Sequence, residues 1–444
     1  MMPTSLLYNI ILSRTYNQGA KMEYNRKPQH KPARFAGIHY GLAILVMGML
    51  VVAGALGLAR FGYGMILPAM QQHLGLTHDQ TGIIASANMF GYLVSALGAG
   101  MLAARFGPRV VVAAGLLWTG ITLVVTGFVQ GPNTAALIRF LTGVGSAGGN
   151  VAMMGLIAAW FAPSRRGMAA GFMVGGSGIA IAFTGWLIPY VNSMFLQDGW
   201  RYSWFILGAI VMGLGVAAWQ VLCNSPVEKK LGPIGEAPVI AIKKEQAPTG
   251  SSIKDLVNIP SVPYLAAQYF CYGFSYIIMA TFLVSYLIDE VNCTQELAGS
   301  IWSTVGFLSI GSSVIWGMLS DKLGRREILV TLFCCQTLAY SLLLFKFSQG
   351  WLLWLPAIIF GLTAWGVPSL TASCSGDISD AKRAPAVIGF VTFIFGFGQV
   401  LGPLLSGYIK EYTLSFHGAF LLAAVMALLG ALFSLRIVVP KESQ

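Results

Sequence analysis

Twelve apolar runs, each long enough to cross a bilayer, follow one another between residues 41 and 437. Crossing takes ~20 mostly apolar residues. The runs fall at about 41–70, 79–104, 108–129, 133–160, 167–194 and 202–222, then at about 260–288, 297–319, 327–345, 351–374, 385–408 and 414–437. Only 10% of the 444 residues are charged, against ~25% in a soluble globule. The sequence therefore predicts an all-α integral membrane protein with twelve transmembrane helices.

Between the sixth and seventh runs lies a polar stretch, Cys223 to about Asn258, with four prolines and mixed charge. That is linker composition. It separates two expected six-helix bundles, 39–222 and 259–438, with a cytoplasmic linker at 223–258. Residues 1–38 read as a disordered basic cytoplasmic tail and 439–444 as a second, short one. The apolar patch Leu6 to Leu12 is too short for a signal-peptide core with a clean cleavage site. Met22 is an alternative start to Met1.

Lysine and arginine collect on the cytoplasmic side of membrane proteins. With both termini inside, 22 of the 27 basic residues lie in inner segments. Three (Arg201, Lys346, Lys410) lie in outer loops and two (Arg60, Arg139) within spans. The split predicts cytoplasmic N- and C-termini. It also accounts for the net charge of +11 without a nucleic-acid partner. The six cysteines and five histidines show no metal-ligand spacing, and no HExxH, GxSxG or P-loop pattern occurs. No metal, cofactor or catalytic constellation is expected, and the chain does not read as an enzyme.

The second and eighth runs end alike. Gly100-Met-Leu-Ala-Ala104-Arg105-Phe-Gly107-Pro-Arg109 matches Gly317-Met-Leu-Ser-Asp321-Lys322-Leu-Gly324-Arg325-Arg326 at a constant offset of 217 residues. Halves related by repetition are a habit of transporters. Both loops resemble the signature G-x-L-[AS]-D-[RK]-x-G-[RK]-[RK] of the major facilitator superfamily, over about residues 40–440. The resemblance implies that fold. It also implies a latch across the halves in the outward-open state, at Gly100, Arg105, Gly107, Arg109, Gly317, Asp321, Lys322, Gly324, Arg325 and Arg326. The first copy departs from the pattern: Ala104 replaces the acid and Pro108 a base, which puts the N-terminal latch in doubt.

A narrower resemblance rests on two stretches. Gly57-Leu-Ala-Arg60-Phe-Gly-Tyr63 running to Leu67-Pro68-Ala-Met70, and Gly396-Phe-Gly398-Gln399-Val-Leu-Gly402-Pro403, are similar to the bacterial YbfB/YjiJ-type facilitators. The glycine-rich fifth span (Gly171, Gly175, Gly176, Gly178) is similar to the monocarboxylate and oxalate:formate branch. These resemblances imply a bacterial cytoplasmic (inner) membrane, and a central cavity lined mainly by the first, fourth, seventh and tenth spans.

Arg60 interrupts the first run. Met70 is ten residues on, ~15 Å at the helical rise, which places Arg60 near the middle of a ~30 Å hydrocarbon core. A charge there costs ~2.5–3.5 kcal/mol on insertion scales and marks a substrate or ion path by default. The bland alternative is a charge satisfied by backbone carbonyls. Helical spacing predicts Gly57, Arg60, Tyr63 and Gly64 on one face. In the fourth span Arg139, Thr142, Ser146, Asn150 and Met153 share a face. Arg139 lies near the outer end and could snorkel. The run Arg139-Phe-Leu-Thr-Gly143-Val-Gly145 also resembles a family motif whose arginine is associated with proton coupling. Asn150 lies deeper. The seventh span aligns Tyr269, Tyr272 and Tyr276; the tenth offers Trp365 and the eleventh Gln399. Trp351 and Trp354 read as an interfacial belt.

No aspartate or glutamate falls deep inside a span; Asp289 and Glu290 end the seventh outside and Asp377 the tenth inside. A fixed arginine without an acid suits an anion, because arginine holds a carboxylate by two parallel hydrogen bonds. The expectation is a monomeric secondary transporter, a symporter in the bilayer, moving a small organic anion such as a monocarboxylate by alternating access. Arg60 is its expected anchor, with Tyr63, Asn150, Tyr269, Tyr272, Tyr276, Trp365 and Gln399 around the substrate. Two rivals stay open: an exporter of amphipathic compounds, and a non-transporting membrane sensor on the same scaffold.

Overall fold

A computed structural model describes residues 34–35, 38–235, 253–345, 350–379 and 383–438. Most of the basic tail, residues 236–252 of the linker, and the short C-terminal tail lie outside the described residues.

A two-residue antiparallel pair, β1 (Arg34–Phe35) and β2 (Ile38–His39), leads into the first helix. That helix is α1 (Tyr40–Val52), a π-helical stretch (Ala53–Phe61) and α2 (Gly62–Leu74) in one continuous run. Then come α3 (His78–Phe106), α4 (Pro108–Thr126), α5 (Pro132–Trp160), α6 (Pro163–Phe195) and α7 (Gly199–Val221). A short α8 (Ile253–Val257) precedes α9 (Val262–Asp289), α10 (Gln295–Ser309), α11 (Ser312–Leu323) and α12 (Arg325–Leu342). The last helices are α13 (Leu355–Thr363), α14 (Gly366–Asp377), α15 (Ala384–Thr413) and α16 (His417–Ser434).

Among the described residues, nine helical segments are long and apolar enough to cross a membrane, ten with the pair α10–α11, which bends by 42°. One of the nine, Ser164–Val221, is 58 residues long and turns at Leu196–Asp198. The 18 residues of α12 open on Arg325, Arg326 and Glu327, which is why that helix fails the same test.

The sequence repeat is also a repeat of backbone shape. Gly107 (φ 87°, ψ 142°) joins α3 to α4, and Gly324 (φ 101°, ψ 142°) joins α11 to α12. A positive φ of this kind is open to glycine and strained for other residues. Each glycine lets one helix end and the next begin with a single residue between them.

Small residues let helices touch backbone to backbone. A Cβ on Gly82 of α3 would stand 2.5 Å from the Pro403 carbonyl oxygen of α15, and one on Gly64 of α2 would stand 2.5 Å from the Ala280 carbonyl oxygen of α9. Gly306 of α10 would meet the Ala182 backbone of α6 at 2.2 Å. Gly171 and Gly175 of α6 face Ser313 and Ile310, and Gly398 and Gly402 of α15 face the Phe270 and Phe274 carbonyls of α9. Nearer the Gly107 and Gly324 turns the packing loosens. Gly98, Gly100 and Gly389 have no atom within 4 Å of the same position.

Candidate functional site

The π-helical stretch Ala53–Phe61 carries Arg60. Such turns are rare and often mark functional sites. Their wider turn, closed by i→i+5 bonds, also changes which residues share a face. Gly57 packs on Ser177 and Ala180 of α6, and Gly64 on α9. Tyr63 donates to the Thr81 carbonyl oxygen of α3 at 3.0 Å and stacks beneath Arg139, at 5.2 Å. The single face expected for Gly57, Arg60, Tyr63 and Gly64 is therefore not formed. The two glycines are filled by neighbouring helices and leave no room for a ligand.

Arg60 is 6% exposed. Its guanidinium lies 4.6 Å from the ring centroid of Tyr92 on α3 and against the Tyr276 hydroxyl of α9. Its Nε and Nη2 are buried and have no hydrogen-bond partner among the described residues. Those two nitrogens form one edge of the guanidinium fork, the geometry that receives a carboxylate by two parallel bonds.

Around that edge stand polar and aromatic groups from both ends of the chain. Asn150 Nδ2 donates to the Tyr92 hydroxyl at 2.8 Å. Gln399 Nε2 donates to the Tyr276 hydroxyl. Trp365 lies 5.5 Å from Phe61 and 6.2 Å from Tyr276, ring centroid to centroid. Tyr269, Tyr272 and Tyr276 stack along α9, 6.0 and 4.8 Å apart, with Phe395 of α15 stacked 4.3 Å from Tyr269. The Tyr272 hydroxyl donates to the Ala364 carbonyl, which is the partner a phenol at membrane depth needs. Asn150 Oδ1 and Trp365 Nε1 are among the buried atoms left unpaired, as are Ser146 Oγ and the Nε and Nη2 of Arg139.

Tyr92 and Phe395 were not among the expected site residues. Both lie on helices outside the four assigned to the cavity. Asn88 and Tyr92, four residues apart, were the available signal for α3: Asn88 donates to the Arg139 carbonyl while Tyr92 meets Arg60.

Arg139 does not snorkel. It is fully buried, with its guanidinium 5.2 Å from the Tyr63 ring and 5.1 Å from the Trp204 ring, and it donates to the Ala59 carbonyl oxygen at 2.7 Å. The partners it finds are aromatic faces and one backbone carbonyl; its Nε and Nη2, like those of Arg60, are buried without a hydrogen-bond partner among the described residues.

The residues of the expected latch make local contacts in this conformation. Asp321 pairs with Arg325 at 2.6 Å, and Arg325 reaches Asp377 at 3.0 Å. Arg326 pairs with Glu327, Arg109 stacks on Trp219 and bonds its carbonyl, and Arg105 lies over Phe106. Gly107 and Gly324 make the paired turns described above.

At the opposite end, Glu290 follows α9 with its side chain 6% exposed. It accepts from Lys410 Nζ at 2.8 Å, the Ser415 hydroxyl at 3.2 Å and the Phe416 N–H. Burial works against its carboxylate, but the Lys410 and Phe416 bonds outweigh burial and hold its pKa below the ordinary value. The next residue on α15, Glu411, accepts from the His78 N–H at the start of α3, at 2.8 Å. That bond ties α3 to α15 above the Gly82 contact.

Residues 50–435 match the family described as "Uncharacterised MFS-type transporter YbfB". The chain belongs to this family. It is a multi-pass membrane protein of the transporter class and not an enzyme. It is 27% identical over 419 residues to the hexuronate transporter of Bacillus subtilis strain 168, covering 89% of this chain and 94% of that one. It is 24% identical over 395 residues to the probable sulfoacetate transporter of Cupriavidus necator, covering 85% and 89%. Among solved structures, a D-xylose-proton symporter superposes with a TM-score of 0.72 at 13% identity, over 91% of this chain and 99% of that one. The last likeness establishes the fold.

Proposed function

We propose that the chain is a secondary transporter that carries a small organic anion across a bacterial cytoplasmic membrane by alternating access, with Arg60 as the anchor. The observation that carries this is the unpaired Nε/Nη2 edge of Arg60, set between Tyr92 of α3 and Tyr276 of α9; Arg139 has the same unpaired edge, but its guanidinium is closed in by the Tyr63 and Trp204 rings. A buried guanidinium edge without a partner is costly, and a carboxylate satisfies both nitrogens at once. The relatives that transport hexuronate and sulfoacetate fit an anionic cargo.

Arg60 contacts Tyr92 from the N-terminal helices and Tyr276 from the C-terminal ones. A ligand on it is held by both groups of helices, which alternating access requires. Twelve crossings follow if Ser164–Val221 crosses twice and the α10–α11 pair and α12 once each, with both termini cytoplasmic. The ten-residue latch then acts in the conformation in which the α3–α15 seam is open. Arg139 supports the π-helical stretch and is not itself a ligand.

Counterflow in proteoliposomes tests the reading. Vesicles loaded with hexuronate, tartrate or a monocarboxylate should exchange it for the labelled anion with wild type and not with Arg60→Gln. Exchange that survives in Arg60→Gln would move the reading to an exporter of amphipathic compounds. Binding without exchange would move it to a sensor.

A further inference from the structure

Asn150 raises a question that the Arg60 anchor does not answer. It is 8% exposed, its Nδ2 is committed to the Tyr92 hydroxyl, and its Oδ1 is buried without a partner. A buried acceptor with no donor is destabilising. A carboxylate cannot relieve it, because an ionised carboxylate only accepts. A hydroxyl can.

Tyr92 fixes where that acceptor sits relative to the anchor. One face of its ring lies against the Arg60 guanidinium, and its hydroxyl holds the Asn150 amide. The free edge of Arg60 and the free oxygen of Asn150 are thus separated by a single phenol. Across the site, Trp365 Nε1 is a buried donor without an acceptor, 7% exposed. Of the buried unpaired atoms, which also include Ser146 Oγ and the Arg139 Nε/Nη2 edge, those flanking the Tyr92 and Tyr276 rings are two donors on the Arg60 edge, one acceptor and one further donor. A plain carboxylate fills the first pair and leaves the acceptor empty. A carboxylate that also bears a hydroxyl fills all of them, since a hydroxyl both donates and accepts.

We propose that Asn150 selects hydroxyl-bearing carboxylates over unsubstituted ones of the same length, with Tyr92 as the positioning residue that aims its oxygen. This rests on Arg60 being the carboxylate anchor. Among the relatives, a hexuronate carries hydroxyls and fits this reading, while sulfoacetate carries none. Sites built to bond a hydroxyl reject analogues lacking it far more strongly than apolar pockets reject a missing methylene.

The test uses the full chain purified in detergent and three pairs of acids matched in carbon number: lactate with propionate, tartrate with succinate, and galactarate with adipate. Dissociation constants are measured for wild type, Asn150→Leu, Tyr92→Phe and Arg60→Gln. In wild type the hydroxylated member of at least one pair should bind ~10-fold tighter or more. Asn150→Leu should bring that ratio close to one. Tyr92→Phe should lower it while binding still depends on Arg60. Arg60→Gln should lose both members. If wild type binds both members of every pair equally and Arg60→Gln loses them, the anchor stands and the role of Asn150 is wrong. If none of the acids binds wild type, the anchor reading falls and this one with it. Should Asn150→Leu fail to fold, Tyr92→Phe decides: a hydroxyl preference unchanged from wild type overturns the role of Asn150.

Discussion

The Arg139 guanidinium donates a 2.7 Å hydrogen bond to the carbonyl oxygen of Ala59, the residue before Arg60. A buried charge on α5 therefore caps the π-helical turn that presents the anchor. Arg139→Met removes the cap without touching a ligand. The hydrogen bond is of the charged kind, worth about 1.5–3 kcal/mol. The expected result is anion affinity at least ~10-fold weaker in a protein that still folds in membranes. Titration of the variant against wild type checks this, and equal affinity would show that the π-helical stretch holds its shape unaided.

Lys410 and Glu290 are 7% and 6% exposed and meet at 2.8 Å. Removing one partner of a buried pair leaves the other charge uncompensated, at a cost of about 3–5 kcal/mol. Lys410→Met should lower the thermal unfolding temperature clearly. The double variant Lys410→Met with Glu290→Gln should recover much of the loss, because no bare charge remains. A double variant no better than the single one would mean that the Ser415 and Phe416 bonds, not the ion pair, hold this corner.

The same carboxylate sets an acid limit on stability. Its folded pKa lies below the ordinary value of 4.5. A depressed carboxylate pKa contributes stability that is present above the unfolded value and lost as pH falls through the folded one. Thermal stability should thus drop as pH is lowered from about 4.5. Glu290→Gln should flatten that part of the profile. A mutant profile parallel to wild type over this range would assign the acid loss to other groups.

Gly82 is pressed against the Pro403 carbonyl of α15, below the bond from the His78 N–H to Glu411. A larger side chain there holds the seam apart, and overpacking of this kind typically costs about 1–3 kcal/mol. Gly82→Leu should speed amide hydrogen exchange in residues 78–93 and slow turnover, with anion binding retained. Unchanged exchange would show that α3 and α15 accommodate the side chain by sliding.

The transmembrane helices were legible because hydrocarbon demands long apolar runs, and the run boundaries survive in the helices. The paired Gly107 and Gly324 turns were legible because a repeated sequence repeated its backbone. The π-helical stretch was not. Ala53 to Ala59 is apolar throughout, so an α and a π register bury the same kind of surface, and the periodicity that placed Tyr63 beside Arg60 carried no warning. The buried Glu290–Lys410 pair was also hidden, since 120 residues separate two charges that each read as an ordinary loop residue. Arg60, Asn150, Tyr276, Trp365 and Gln399 do converge, because each is a polar or aromatic group that an apolar helix carries at a cost and must satisfy somewhere. Tyr92 gave less signal: a single tyrosine on the second span forms no stripe of the kind that singled out Tyr269, Tyr272 and Tyr276.

The most direct test of the anchor is ligand-induced thermal stabilisation of the purified protein by organic anions, organic cations and neutral solutes, with wild type beside Arg60→Gln and Arg60→Lys. An arginine-anchored site gives stabilisation by a narrow set of carboxylates in wild type. Arg60→Lys should keep a weak remnant, since lysine keeps the charge but not the two-pronged edge, and Arg60→Gln should show none. Stabilisation by bulky amphiphiles that is equal in all three proteins would contradict the anchor and leave Arg60 a structural charge.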